Sequence, residues 1–146
     1  MRVTARRWLA GLALALGGGA VLLRTGYLAV RVHGASMEPT LRTGDRVLVR
    51  RVRPDRLRRG QIVVIAHRGG PGDPPLLIKR AVALPGDRAP RLPALRGAAG
   101  SRVPAGSLVV LGDNAGASFD SRQAGYFGAE ALVGVVVRRL PARHRA

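Results

Sequence analysis

Lys79 is the only lysine in a chain that carries 24 arginines. Arginine keeps its proton inside a protein, whereas a buried lysine can lose it, so this one position could supply a neutral amine. Upstream lies the stretch Gly34-Ala35-Ser36-Met37-Glu38-Pro39-Thr40-Leu41. A small Gly-Ala pair leads into the serine and Pro39 stiffens the chain after it, which describes a turn holding one hydroxyl in a fixed place. A serine beside a deprotonatable lysine is one way to build a hydrolytic nucleophile without histidine. The plainer readings are a serine that closes a turn and a lysine made rare by composition. A triad of Ser36, His67 and an aspartate is conceivable, but His67 opens a Gly/Pro loop and His144 sits in the basic tail. The three scattered histidines show no metal-ligand spacing, and the chemistry calls for no cofactor.

The amine can act as a base near neutral pH only if its pKa falls from ~10.4 towards ~7–8. Desolvation produces such a fall, and Leu76, Leu77, Ile78 and Val82 flank Lys79. On a strand, Arg80 points to the opposite face, where it stays in water while Lys79 is buried.

The elements that must position these groups read as strands. Arg46–Val52 alternates as a half-buried strand does, and Gln61–Ala66 is a short continuous apolar run. Leu76–Val82, Ser107–Leu111 and Leu132–Arg138 complete the set. Gly, Pro and Asp punctuate the intervals, and the segment from Arg88 to Pro104 is rich in Pro, Arg, Ala and Gly without periodicity. Short strands separated in this way indicate an all-β antiparallel sheet or barrel, with one N-terminal apolar helix outside it.

That helix is read from Trp8 to Leu23, a run without charge that follows Arg2, Arg6 and Arg7. Its 16 residues span about 24 Å as a helix, short of the ~30 Å hydrocarbon core. Extension to Val30 lengthens it enough if Arg24 reaches back to the interface. The organisation expected is a basic cytoplasmic tail (1–7), a transmembrane anchor (8–30), an extracytoplasmic domain (31–140) and a basic tail (141–146). Basic residues ahead of the run favour that orientation. A cleavable leader and a buried soluble helix are the competing readings. The net charge of +17 suits anionic lipid headgroups or nucleic acid, but aromatics make up only 3% of residues, so stacking platforms for bases are poorly supplied. The absence of cysteine excludes disulfides and thiolate metal sites. Of the eight acidic residues, five (Glu38, Asp45, Asp87, Asp113 and Asp120) fall at turns.

Four blocks, in order, resemble the type I signal peptidase family of serine–lysine membrane proteases. They are the Ser36 stretch above; Gly44-Asp45-Arg46-Val47-Leu48-Val49; Lys79-Arg80-Ala81-Val82-Ala83-Leu84-Pro85-Gly86-Asp87; and Gly112-Asp113-Asn114-Ala115-Gly116-Ala117-Ser118-Phe119-Asp120-Ser121-Arg122. The resemblance implies that Ser36 is the nucleophile, that Lys79 is the general base and that Ser118 orients the amine. It implies that the Ser36 N–H serves the oxyanion, with Gly34 where some members place a contributing serine. Asp120 and Arg122 would form an ion pair behind the site, Asp113 and Asn114 would shape the presenting turn, and Met37 and Pro39 would border the substrate. Ala83 and Ala115 stand where glycine and arginine are usual, and the large inserted subdomain of longer relatives is missing.

The implied function is a membrane-anchored serine endopeptidase that cuts signal peptides from secreted precursors at the outer face of the cell membrane, after small residues. Its partners would be those precursors and membrane lipids, with no specific nucleic acid. One rival is a dedicated maturation protease of the same family, such as those that process nickel superoxide dismutase precursors. Another is a repressor-type self-cleaving domain, although no DNA-binding helix pair precedes this one. A rival of another class is a non-enzymatic, anchored basic binding protein, which would need the charge but neither Ser36 nor Lys79.

Overall fold

The computed structural model describes residues 21–23, 26–72 and 74–141. Among the described residues, eight strands make up most of the regular structure: β1 (Val21–Leu23), β2 (Tyr27–Arg31), β3 (Arg46–Arg50), β4 (Ile62–Ala66), β5 (Leu76–Ala83), β6 (Ser107–Leu111), β7 (Phe127–Gly128) and β8 (Leu132–Leu140). Every pairing is antiparallel, in the order β1-β2-β3-β8-β4-β5-β6-β7. The first seven of these strands form one curled sheet, and the two-residue β7 adds to β6. One short helix, α1 (Ser121–Ala124), follows β6.

The five strands read from alternation and apolar runs are present, with ends shifted by one or two residues. In β3, Val47 and Val49 are fully buried and their neighbours are not, as a strand with one covered face requires. The continuous apolar run in β4 is covered on both faces. Val64 packs with Val30, Val47 and Val49, while Val63 and Ile65 pack with Ala81, Leu108 and Val135. Curling lets this central strand be enclosed by two clusters. Bulges interrupt β3–β8 at Leu48/Val49, β4–β8 at Val64/Ile65 and β5–β6 between Ala81 and Ala83. Gly134 lies at the second of these irregular regions, opposite Val64, and a Cβ there would collide with the Arg50 carbonyl.

Two segments depart from the sequence expectation. Residues 8–20, 24 and 25 of the expected anchor lie outside the described residues, but the described part of its continuation holds two strands, Val21–Leu23 and Tyr27–Arg31. Val21–Leu23 pairs with β2, and β2 pairs along its whole length with β3. Leu28 and Val30 are buried against Met37, Leu41 and Val47. An unbroken apolar run carries no period, so it reads equally as anchor or as strand; the alternation along Tyr27–Arg31 appears only once β3 covers one face. Among the described residues no helix is long and apolar enough to cross a membrane. The second departure is the segment from Arg88 to Pro104, which is packed. A 3₁₀ turn (Pro93–Ala98) and a bridge between Arg88 and Arg102 fold it back on itself, burying Ala89, Leu95 and Val103 against Val109.

Because Leu28 belongs to the core, Leu28→Ala should lower the unfolding free energy by about 2–5 kcal/mol. Urea denaturation of the full chain in neutral detergent measures this. An unchanged midpoint would return Leu28 to the anchor.

Candidate active site

Strand β5 alternates inward and outward along its whole length, which puts Leu77, Lys79, Ala81 and Ala83 on the covered side. Lys79 is therefore 3% exposed, although it is a lysine. Its Nζ lies 2.9 Å from Ser36 Oγ. Burial lowers the Lys79 pKa from its ordinary value; the negative charge of Asp120 opposes this fall and the positive charge of Arg122 adds to it. An amine in that position is poised to take a proton from the hydroxyl that it touches.

The turn carrying Ser36 is held from two sides. Gly34 adopts φ +81°, a left-handed conformation that a residue with a Cβ enters only with strain. Its carbonyl accepts a hydrogen bond from Thr43 Oγ1 at 3.0 Å. On the other side, Asn114 donates its backbone N–H to the Ser36 carbonyl at 2.9 Å and its Nδ2 to the Ala35 carbonyl at 3.1 Å. Among the described residues, no group accepts the Ser36 backbone N–H, which leaves it available to an incoming oxyanion.

Behind the lysine, Asp120 is fully buried and its carboxylate is saturated with donors. Oδ2 accepts from Gly112 N at 2.8 Å, Ser118 Oγ at 2.7 Å and Arg122 Nη1 at 2.9 Å; Oδ1 accepts from Arg122 N at 3.0 Å. Asp120 thereby caps α1, and Gln123 Oε1 accepts from the Asp120 N–H at 3.0 Å to close the capping box. Ser118 directs its hydroxyl hydrogen to Asp120, and no hydrogen bond joins it to Lys79. It does lie beside the Ser36 turn. A Cβ on Gly112 would collide with both Ser118 Oγ and the Ser36 carbonyl, so glycine alone permits that approach.

Asp113 does more than shape a turn. It forms a two-pronged ion pair with Arg80, at 2.8 Å from Nε and 2.6 Å from Nη2, and also accepts from Thr40 Oγ1. The Arg80 guanidinium beside it holds the Asp113 carboxyl below the usual carboxylate range. Arg80 Nη1 reaches the Gly60 carbonyl at 2.8 Å. Arg80 leaves the Lys79 face, as expected, and its side chain stays 33% exposed, but it is tied to Asp113 and the Gly60 carbonyl instead of being free in solvent. Thr40, Arg80 and Gly112 are supporting residues that the sequence reading did not assign. Only the pairing of an arginine and an aspartate within two of the blocks could have pointed to Arg80.

A cleft of about 730 Å³ opens at Ser36 and Lys79. Val30, Val32, Met37, Leu77 and Ile78 supply much of its wall, and Phe119 and His67 meet at its rim with ring centroids 6.3 Å apart. Met37 is buried and lines the cleft; Pro39 is exposed and does not line it. Strand β5 pairs with β6 only from Arg80 onward, so, among the described residues, 76–79 have no strand partner on the side facing away from β4.

An antiparallel all-β sheet that buries a lysine amine against a serine hydroxyl defines a class of hydrolase-like site. A family model described as signal peptidase, peptidase S26, matches residues 5–94 and 89–140. The chain belongs to this family, which is a family of peptidases. A search among characterised proteins found no match.

The pKa direction yields a stability prediction. Folding lowers the Lys79 pKa, so below the folded-state value both states are protonated and burial costs stability in full. As pH rises from that value towards 10.5, the native amine sheds its proton while the unfolded one keeps it, and the cost is relieved. Lys79→Met should therefore melt higher than wild type at pH 6–7, with the gap narrowing towards pH 10. Thermal melts across that range measure it, and a variant less stable at every pH would overturn desolvation as the dominant effect.

Proposed function

We propose that this chain is a membrane-anchored serine endopeptidase that removes signal peptides from secreted precursors, with Ser36 as nucleophile and Lys79 as general base. The observation that carries this reading is the 2.9 Å contact between the Ser36 hydroxyl and a lysine amine buried from water. The neutral amine takes the hydroxyl proton as Oγ attacks the scissile carbonyl carbon. The carbonyl oxygen becomes an oxyanion and accepts from the Ser36 N–H, an interaction worth about 3–4 kcal/mol when realised in the transition state. Collapse breaks the C–N bond, and Lys79 returns the proton to the leaving amine. Water, deprotonated by the same amine, then attacks the acyl-serine and releases the new carboxylate while Oγ regains its proton.

The cleft supports an extended substrate. Its backbone would add to residues 76–79 on the side facing away from β4, and side chains pointing inward would meet the apolar wall that includes Val32, Met37 and Leu77. Membership in the family supports signal-peptide-bearing precursors as the substrates. Ser118 makes no hydrogen bond to the amine, so it would act on the dyad as a positioning residue, through Asp120 and the Gly112 backbone that meets the Ser36 turn. The apolar run beginning at Trp8 would keep the site at the membrane surface.

Incubation of the full chain, in detergent or vesicles, with a precursor bearing an Ala-x-Ala site tests this reading. Ser36→Ala should reduce cleavage to background. Lys79→Met should reduce it on the order of 10³-fold, and Lys79→Arg should not restore it, because a guanidinium stays protonated. Wild-type cleavage by either lysine variant would falsify the dyad. Ser118→Ala should lose about 10- to 100-fold in kcat with little change in KM, the pattern expected when a base is misplaced while the cleft is intact.

A further inference from the structure

Away from the cleft, a second pocket of about 480 Å³ is lined by Arg50, Arg51, Arg53, Arg56, Arg58 and Gln61. Val52 is the one apolar residue in a wall otherwise made of arginines and a glutamine. The one carboxylate nearby, Asp55, sits at 3.4 Å from Arg53 Nε and 3.9 Å from Arg56 Nε on well-exposed side chains, so it offsets little of the charge. Arg59, next in the chain, is already paired with Asp87 at 3.6 Å. Among the described residues, the side chains of Arg50, Arg51 and Arg58 have no anionic partner. Gln61 Oε1 accepts from the Arg58 backbone N–H at 2.9 Å. Five guanidinium groups around one concavity, with a single weakly placed counter-charge, make a seat for an anion with several acceptor oxygens.

Three observations narrow the anion. The pocket is larger than an inorganic phosphate fills. It contains no aromatic side chain, which single-stranded nucleic acid would need for stacking. It also adjoins the place where the apolar N-terminal run enters the sheet. Arg51 N donates to the Gly26 carbonyl at 2.8 Å, Arg50 lies opposite Tyr27, and Val21 lies opposite Ala29 on the same strand. Two residues along β2 and two strand spacings separate the pocket from that entry point, a distance on the order of 10 Å. If the apolar run occupies hydrocarbon, the pocket falls at about the depth of the headgroup layer.

We propose that this pocket binds the phosphodiester headgroup of an anionic phospholipid. The inference rests on the membrane placement in the reading above, but not on the dyad, and its test involves no proteolysis. The full chain in neutral maltoside micelles is titrated with dihexanoyl phosphatidylglycerol and followed by ³¹P NMR. Parallel titrations use dihexanoyl phosphatidylcholine, inorganic phosphate and a short oligodeoxynucleotide. Two paired variants are compared, Arg51→Gln with Arg58→Gln in the pocket and Arg91→Gln with Arg96→Gln outside it, so that each removes the same charge. Saturable phosphatidylglycerol binding is expected, weakened on the order of tenfold by the pocket pair and unchanged by the other. Equal weakening by both pairs would mean a diffuse field and overturn the site. Binding of phosphatidylcholine as tight as that of phosphatidylglycerol, or tighter binding of phosphate or oligonucleotide, would overturn the lipid assignment. Cleavage assays on the same variants report separately on the dyad.

Discussion

The structure depends on keeping one amine out of water. Lys79 occupies an inward position of β5 between Leu77 and Ala81, where an aliphatic residue would pack at no electrostatic cost. Water would otherwise stabilise the ammonium form strongly, and burial removes that stabilisation. Every other feature of the site either tolerates this cost or gives it direction. The serine turn brings the one hydroxyl that the amine reaches. Antiparallel pairing with Val63 in the fully buried centre of the sheet fixes the height of the lysine along β5.

A fully buried aspartate near such a lysine presents a difficulty, because an unpaired carboxylate would draw the amine back to its charged form. Asp120 does pull the Lys79 pKa upward, but less than burial lowers it. The reason lies in how the carboxylate is partnered. Arg122 neutralises it at 2.9 Å, and the Gly112 N–H and Ser118 hydroxyl occupy the same oxygen. The charge is satisfied locally, and Asp120 is free to serve as a joint, tying the end of β6 to α1 and to Ser118. Asn114 and Gly112 extend that joint to the carbonyls of the Ser36 turn. The last of the four blocks is therefore a single bracket that sets serine and lysine relative to one another. Asp113, its neighbour, clamps the opposite face through Arg80 and Thr40.

Much of this was legible in the chain. The strands β3, β4, β5, β6 and β8 follow from alternation or apolar runs, and the serine and lysine that meet stand out by residue type. What was not legible shares a physical cause, since it depends on partners distant in sequence. The run through Val30 has no period until β3 covers one side of it. Arg80 is solvent-facing in part, and its partners, Asp113 and the Gly60 carbonyl, come from loops distant in sequence. Arg88–Pro104 looks featureless because Ala89, Leu95 and Val103 reach the core at irregular spacing and do so from turns. The role of Gly112 is invisible for a similar reason: what matters is the space its missing Cβ leaves for two other segments.

The arginine-rich surface and the single lysine are two aspects of one electrostatic arrangement. A net charge of +17 might be expected to drive the amine's proton off by long-range repulsion. Screening argues otherwise, since exposed charges beyond about 8 Å contribute little at physiological ionic strength. Among the described residues, the arginine whose charge adds to the fall of the Lys79 pKa is Arg122, which lies within the site. The surface can therefore carry a field suited to anionic partners while burial sets the protonation of the amine. With arginine everywhere else, the basic surface keeps its charge through the pH range in which Lys79 must lose its own. Attraction of anionic partners and the protonation of Lys79 thus respond to different variables, the first to salt and the second to pH.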